Sequence, residues 1–275
     1  MSYAWGITTS THALQTQAQA ALALAEAWQA PYLDRGSTSL QELRETCHLD
    51  YLVTLDKNKR LSVDDPPLHW HPSVAIPRLR RLAEGGHDNF LVAASIMEGD
   101  RVLDCTLGLG ADAIVAAYAV GDTGTVTGLE ASPVIALLTA WGMQHESSVY
   151  HRKKAPLEAI AGRITVVHTE ATVFLETQAD SSWDVVYFDP MFQTANPRSS
   201  AINSYRSLAC HALFTAAVLT EALRVCAKRV VLKERWFSPL FAQLGADQKV
   251  KARYGPVAYG VWEKGKADDG EANLG

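Results

Sequence analysis

The feature that most constrains the fold is a short connection near the C-terminus. Lys249–Tyr254 and Ala258–Trp262 both read as strands, and only Gly255–Val257 separate them. So short a link cannot carry the chain across a sheet, so the two strands form an antiparallel hairpin. Upstream, strand-like and helix-like stretches alternate from Arg101 onward. The strands are Arg101–Cys105, Thr125–Leu129, Ile164–His168, Asp184–Phe188 and Arg229–Lys233. The helices are expected at 111–120, 133–146, 172–178, 206–226 and 237–244. Successive βα units with right-handed crossovers build a doubly wound parallel sheet. The predicted body is therefore α/β, five parallel strands closed at one edge by an antiparallel hairpin.

In such a sheet a ligand lies beyond the carboxyl ends of the strands. The first strand ends in Asp104 and runs into a turn with Gly108 and Gly110, then into a helix beginning Ala111-Asp112. Glycines let backbone approach a ligand, and a helix start offers N–H groups without intrahelical partners. The second strand ends at Glu130-Ala131, the third at His168 to Ala171 with Glu170 between, and the fourth at Asp189-Pro190-Met191-Phe192. Glu130 follows Gly110 by 20 residues, the spacing at which a carboxylate accepts ribose hydroxyls. A nucleoside-containing cofactor follows, and the spacing alone leaves NAD and S-adenosylmethionine open. Two features favour the methyl donor. A carboxylate at Asp104 would repel a pyrophosphate but suits an amino-acid moiety, and DPMF stands where amino-methyltransferases keep their catalytic tetrapeptide.

The chemistry of that tetrapeptide is specific. An exocyclic amine on a base is a weak nucleophile because its lone pair is delocalised into the ring. The Asp189 carboxylate and the Pro190 carbonyl can accept its two N–H groups, helping to localise the lone pair and stabilising the positive charge that develops on nitrogen. Phe192 can stack on the base. The plainer reading of DPMF is a turn after a buried strand; its place at a strand end beside the glycine turn favours the functional one.

The topology resembles class I S-adenosylmethionine-dependent methyltransferases, Rossmann-like sheets of seven strands. More narrowly, VLDCTLGLGADA, GLEASPVIALL, VVHTEA, VVYFDPMF and RVVLK resemble successive motifs of the RsmJ-type small-subunit ribosomal RNA guanine-N2 methyltransferase family and its uncharacterised relatives, over roughly residues 69–262. Thr106, standing where most of the superfamily has glycine, belongs to that resemblance. It implies cofactor contacts at Ala111, Asp112, Glu130, Ala131, Glu170, Ala171 and Asp189, and methylation of a guanine exocyclic amine in rRNA. The chain departs from the family after DPMF, where QTANPRSSAINSYRSLA keeps Arg198 and Arg206 but few other cations, and again near the N-terminus. If those regions touch substrate, the substrate can differ while cofactor and reaction stay the same. A protein or small-molecule methyltransferase, a non-catalytic RNA-binding module and an NAD-dependent oxidoreductase therefore remain as alternatives.

Residues 1–65 read as a separate small α/β unit: a strand at Tyr3–Thr9, a helix to Gln29 capped by Ser10 or Thr11, extended chain at Pro31–Leu33, a helix at Ser39–Cys47, and one or two strands within Tyr51–Val63. Asp64–Pro67 marks a break before a methyltransferase domain at 66–265, within which Pro77, Gly85 and Gly86 divide two helices, and 266–275 reads as a flexible tail. A formal charge of −5 argues against coating nucleic acid nonspecifically while leaving room for local basic faces. Such clusters occur at Arg78/Arg80/Arg81, 151–154, Lys228/Arg229, Lys233/Arg235 and Lys249/Lys251/Arg253, each of which also reads as a solvated element end. Arg78 and Arg81, with Arg198 and Arg206, are the candidates for meeting an anionic substrate. His69 and His71 lack a nearby third ligand, and Cys47, Cys105, Cys210 and Cys226 form no CxxC pair, so no metal is expected and a reduced, cytoplasmic setting is. No apolar run approaches a membrane span.

Overall fold

The computed structural model describes residues 4–64, 67–72, 74–150, 156–190, 214–251 and 255–265. A four-stranded sheet comes first: β1 (Trp5–Thr9), β2 (Tyr51–Leu55), β3 (Leu61–Asp64) and β4 (Pro67–His69), in that spatial order. β1 and β2 run parallel, joined through α1 (Gln15–Ala27) and α2 (Leu40–Thr46), and the other pairs are antiparallel. Pro31 and Leu33 bond to Ile7 from its other side. Ser39 caps α2, but neither Ser10 nor Thr11 caps α1. The ladder continues through Ser10 N to Leu55 O, and Ser10 Oγ accepts from Gln17 Nε2, so the helix starts only at Gln15. The expected break at Asp64–Pro67 is a strand reversal: Asp64 pairs with Pro67, which occupies the first position of its strand, where a missing N–H is tolerated. Residues 65 and 66 lie outside the described residues, and the sheet continues to His69.

Two helices follow, α3 (Ala75–Ala83) and α4 (Asn89–Ala94). Pro77 does not divide them, because it lies in the first turn of α3 where its absent N–H leaves no hydrogen bond unmade. Asp88 accepts from Phe90 N and Leu91 N and so starts α4.

The large sheet comprises β5 (Arg101–Asp104), β6 (Thr125–Glu130), β7 (Ile164–His168), β8 (Trp183–Phe188), β9 (Cys226–Arg235), β10 (Gln248–Lys251) and β11 (Val257–Glu263). Their order is β10-β11-β9-β8-β5-β6-β7, parallel from β9 to β7, with β11 antiparallel to both of its neighbours. This is the expected Rossmann-like class I methyltransferase architecture. The intervening helices are α5 (Ala111–Val120), α6 (Pro133–His145), α7 (Leu157–Ala161), α8 (Ala171–Thr177) and α9 (Ala216–Val225), with a further turn at Leu240–Gln243. The helix expected from 206 is described only from Ala216.

Alternation along the strands produces two apolar layers. Val102, Val185 and Val231 pack with α3, α4 and α5 on one face; Leu103, Val186 and Val230 pack with Leu175 and α9 on the other. α6 belongs to a third cluster, where its Val134, Ile135, Leu137 and Leu138 meet Ile7, Val53, Val63 and Leu68 of the small sheet. Trp141 Nε1 donating to Lys59 O at 2.7 Å and the Arg60–Glu146 ion pair at 3.2 Å hold the rim of that contact. Among the described residues no helix is long and apolar enough to cross a membrane.

Candidate functional site

The glycine turn after β5 is fixed by its neighbours. Gly108 and Gly110 have φ of +57° and +79°, the left-handed region in which side chains are strained. A Cβ on Gly110 would also fall 2.2 Å from Met143 Cε. Thr139 Oγ1 donates to Gly108 O at 2.8 Å, and Trp70, fully buried, donates from Nε1 to Leu109 O at 3.1 Å. Glu130 closes the turn from the end of β6: one carboxylate oxygen accepts Gly108 N at 3.0 Å and the other accepts Ser132 N at 2.8 Å. Burial raises the Glu130 pKa above its ordinary value, against the pull of the Ser132, Gly108 and Ala131 N–H groups. Each oxygen retains lone-pair capacity for a further donor.

One strand over, three carboxylates converge. Asp112, in the first turn of α5, accepts from Arg78 Nη1, from Tyr187 Oη at 2.9 Å and from Lys233 Nζ at 2.9 Å. Burial alone would raise its pKa; the charges of Lys233 and Arg78, with their hydrogen bonds, hold it well below the usual carboxylate range. Lys233 also donates to Asp189 Oδ2 at 2.6 Å, bridging the two carboxylates. Burial pushes Asp189 up, the Lys233 charge opposes this, the Asp112 charge adds to it, and the carboxyl settles at about 6. The Asp189 backbone N–H donates to Thr106 Oγ1 at 2.5 Å, which ties the DP turn to the glycine turn. Asp104, buried beside this pair, accepts Thr106 N at 3.0 Å. Burial, together with the charges of Asp112 and Asp189, pushes it up to about 8.

The other predicted residues distribute as follows. Ala111 opens α5, Ala131 follows Glu130, and Glu170 and Ala171 open α8 beyond β7. Pro190 is the last described residue of DPMF; Phe192, Arg198 and Arg206 lie outside the described residues. Arg78 is not an open cation: its guanidinium holds Asp88 through two bonds of 2.8 and 2.9 Å as well as Asp112. Arg81 is exposed. The His69 and His71 rings lie edge to face with centroids 6.3 Å apart, and among the described residues no group of three or more side chains suits a metal. Sequence reasoning did not single out Lys233 or the Thr106 hydroxyl as site residues. The signal for Lys233 was a cation directly after the apolar run Val230–Leu232 of the central strand, RVVLK.

This set of groups fits S-adenosylmethionine. Asp104 is a buried carboxylate that no cation bonds among the described residues, as an amino-acid ammonium requires. Glu130 offers acceptors to ribose hydroxyls. The sequence model of the SAM-dependent methyltransferase family matches residues 37–255. A Bacillus subtilis protein, YpiP, of uncharacterised function, is 34% identical over 93% of this chain and 98% of its own. Ribosomal RNA small subunit methyltransferase J from Psychrobacter arcticus is 28% identical over 74% of this chain and 75% of its own. The crystal structure of a SAM-dependent methyltransferase from Neisseria gonorrhoeae shares the fold, with a TM-score of 0.63, 20% identity, and coverage of 98% and 100% of the two chains. The NAD alternative falls with these matches: the chain belongs to the SAM-dependent methyltransferase family and uses S-adenosylmethionine as its cofactor.

Proposed function

We propose that this methyltransferase acts on an exocyclic amine of ribosomal RNA, the N2 amine of a guanine. The observation that carries the reading is Asp189, placed just beyond β8 with its backbone held by Thr106 and one carboxylate oxygen held by Lys233. That leaves Oδ1 and the Pro190 carbonyl to accept the two amine hydrogens, while the ion pair with Lys233 fixes the rotamer in advance. S-adenosylmethionine supplies an electrophilic methyl on a sulfonium. Asp104 would hold its ammonium, Glu130 its ribose, and the start of α5 with Gly108 and Gly110 would flank it; Ala131, Glu170 and Ala171 line the neighbouring strand ends. Asp189 keeps the nucleophilic nitrogen electron-rich during attack and can take the proton that the methylated nitrogen releases. The kinship with methyltransferase J supports ribosomal RNA.

The test is transfer of a labelled methyl group to rRNA from cells lacking this gene, followed by nucleoside analysis. Label recovered in N2-methylguanosine is expected, and label in protein or small molecules alone would overturn the RNA assignment. Asp189→Ala is expected to lower turnover by a factor of ~100–1,000 while S-adenosylhomocysteine affinity stays within about tenfold, ~1.4 kcal/mol. Because Asp189 must be ionised to accept the amine hydrogens and its carboxyl is pushed up to about 6, turnover should rise as pH increases through that value. A flat profile from pH ~5 to ~8 would remove Asp189 from the chemistry.

A further inference from the structure

Beyond the carboxyl end of β9 stands a pair of aromatic side chains that are not among the groups proposed to hold the cofactor. Trp236 and Phe237 are 44% and 59% exposed and meet edge to face with centroids 5.6 Å apart. Cations surround them: Lys251 Nζ lies 4.3 Å from the Trp236 ring centroid, Lys249 Nζ 6.0 Å from the same ring, and Arg235 Cζ 5.9 Å from Phe237. Their exposed faces remain available to a further flat surface that would stack on them.

Their position is set by register. β10 and β9 run in the same direction, each paired antiparallel to β11, so Lys251 and Arg235 both end strands at the edge of the sheet that carries Asp104, Glu130 and Asp189. Trp236 N donates to Pro256 O at 2.8 Å, which fixes the start of the aromatic pair on the hairpin. Phe188 pairs with Leu232, so Asp189 lies level with Lys233, and Trp236 is three residues farther along the same strand direction. At ~3.3 Å per residue that is ~10 Å, about three stacked nucleotides at ~3.4 Å each. The chain as a whole carries a net charge of −5, so this local concentration of cations runs against the overall sign.

We propose that Trp236 and Phe237, flanked by Lys249, Lys251 and Arg235, form a stacking platform for unpaired RNA beside the target base. The inference rests on the RNA reading of the same site and specifies how the strand is held. Aromatic faces accept any base, and cations beside them meet the backbone phosphates, the combination that single-stranded nucleic acid requires. Lys251, 4.3 Å from the Trp236 ring, also holds that ring in place through a cation–π contact.

The experiment measures binding of a fluorescein-labelled, unstructured single-stranded RNA to the full chain by anisotropy, across a salt series, with S-adenosylhomocysteine affinity measured in parallel. Trp236→Ala/Phe237→Ala should weaken RNA binding by about tenfold or more with cofactor affinity unchanged, and Trp236→Tyr/Phe237→Tyr should restore most of it. Lys251→Gln should lower the slope of log affinity against log salt by ~0.7. A wild-type chain that binds RNA with the double alanine variant indistinguishable from it overturns the platform and leaves the RNA reading standing. A wild-type chain that ignores RNA overturns both. A double alanine variant that sediments as a smaller assembly than the wild type, with RNA affinity unaltered, assigns the aromatic pair to an interface between copies of this chain and overturns the platform.

Discussion

Two carboxylate arrangements sit two strands apart, at the ends of β6 and β8, and they are built on opposite principles. Glu130 is held by backbone N–H groups alone, with Gly108 and Ser132 as donors. Asp112 and Asp189 are held by side-chain cations, with Lys233 between them and Arg78 behind. Neutral donors leave each Glu130 oxygen with lone-pair capacity to spare, a suitable acceptor for uncharged hydroxyls. Cations neutralise the second site, so several carboxylates can share one small volume without all titrating away. The difference suits the first site to recognition and the Lys233-bridged pair to polarisation, as proposed above.

The comparison breaks first at Asp112. Replacing it by alanine strips Arg78, Tyr187 and Lys233 of a shared acceptor in a buried place. Breaking a buried ion pair costs ~3–5 kcal/mol, and because Arg78 keeps Asp88 and Lys233 keeps Asp189 the lower end, ~3 kcal/mol, is expected in urea unfolding at pH ~7. The sign with pH follows from the depressed carboxyl. Asp112 contributes its stability above the unfolded-state pKa of ~3.9 and loses it as pH falls. The gap between wild type and Asp112→Ala should therefore close in acid, and a gap independent of pH would show that packing, not charge, is what the residue supplies.

Glu130→Gln comes next. The amide presents one oxygen where two N–H groups need acceptors, so an unsatisfied donor at the turn should cost ~1–3 kcal/mol of stability in urea unfolding, and the loss of an acceptor for the ribose should weaken S-adenosylhomocysteine binding in calorimetry. Glu130 and Lys233 lie on β6 and β9, three strands apart at ~4.8 Å each, so ~14 Å. Their effects on stability should add within ~0.5 kcal/mol, whereas Asp112 and Lys233 should not. Strong coupling between Glu130 and Lys233 would merge the two sites into one network.

Much of this was legible in the chain. The antiparallel edge followed from the short link between the last strands, expected at Gly255–Val257 and found to be residues 252–256, and the strand-end rule led to Asp104, Glu130 and Asp189 because each ends an apolar run with an acidic residue. What stayed hidden was pairing across long sequence separation. Nothing near Asp112 announces that its partners are Arg78, Tyr187 and Lys233, which reach it only once α3, β8 and β9 have packed around α5. Arg78 therefore looked like an anion site and is an internal counter-ion. Ser10 and Thr11 looked like caps for a similar reason: local preference for a helix start was overridden by the ladder to Leu55.

The finest distinction between the two sites rests on Thr106. Its hydroxyl accepts the Asp189 N–H at 2.5 Å, so the polarising carboxylate takes its backbone position from the glycine turn that also bonds Glu130. Thr106→Val keeps the shape and removes the acceptor. Because the Asp189 N–H bond to Thr106 is part-buried, water can replace some of it, and a stability cost of ~1 kcal/mol is expected. Turnover should nevertheless fall several-fold while S-adenosylhomocysteine affinity holds, since a displaced Asp189 misaligns the amine without touching the cofactor. Thr106→Ser should restore turnover. If Thr106→Val instead weakens cofactor binding with turnover unchanged, the hydroxyl serves the recognition side, and the division between the two carboxylate sites must be redrawn through the glycine turn itself.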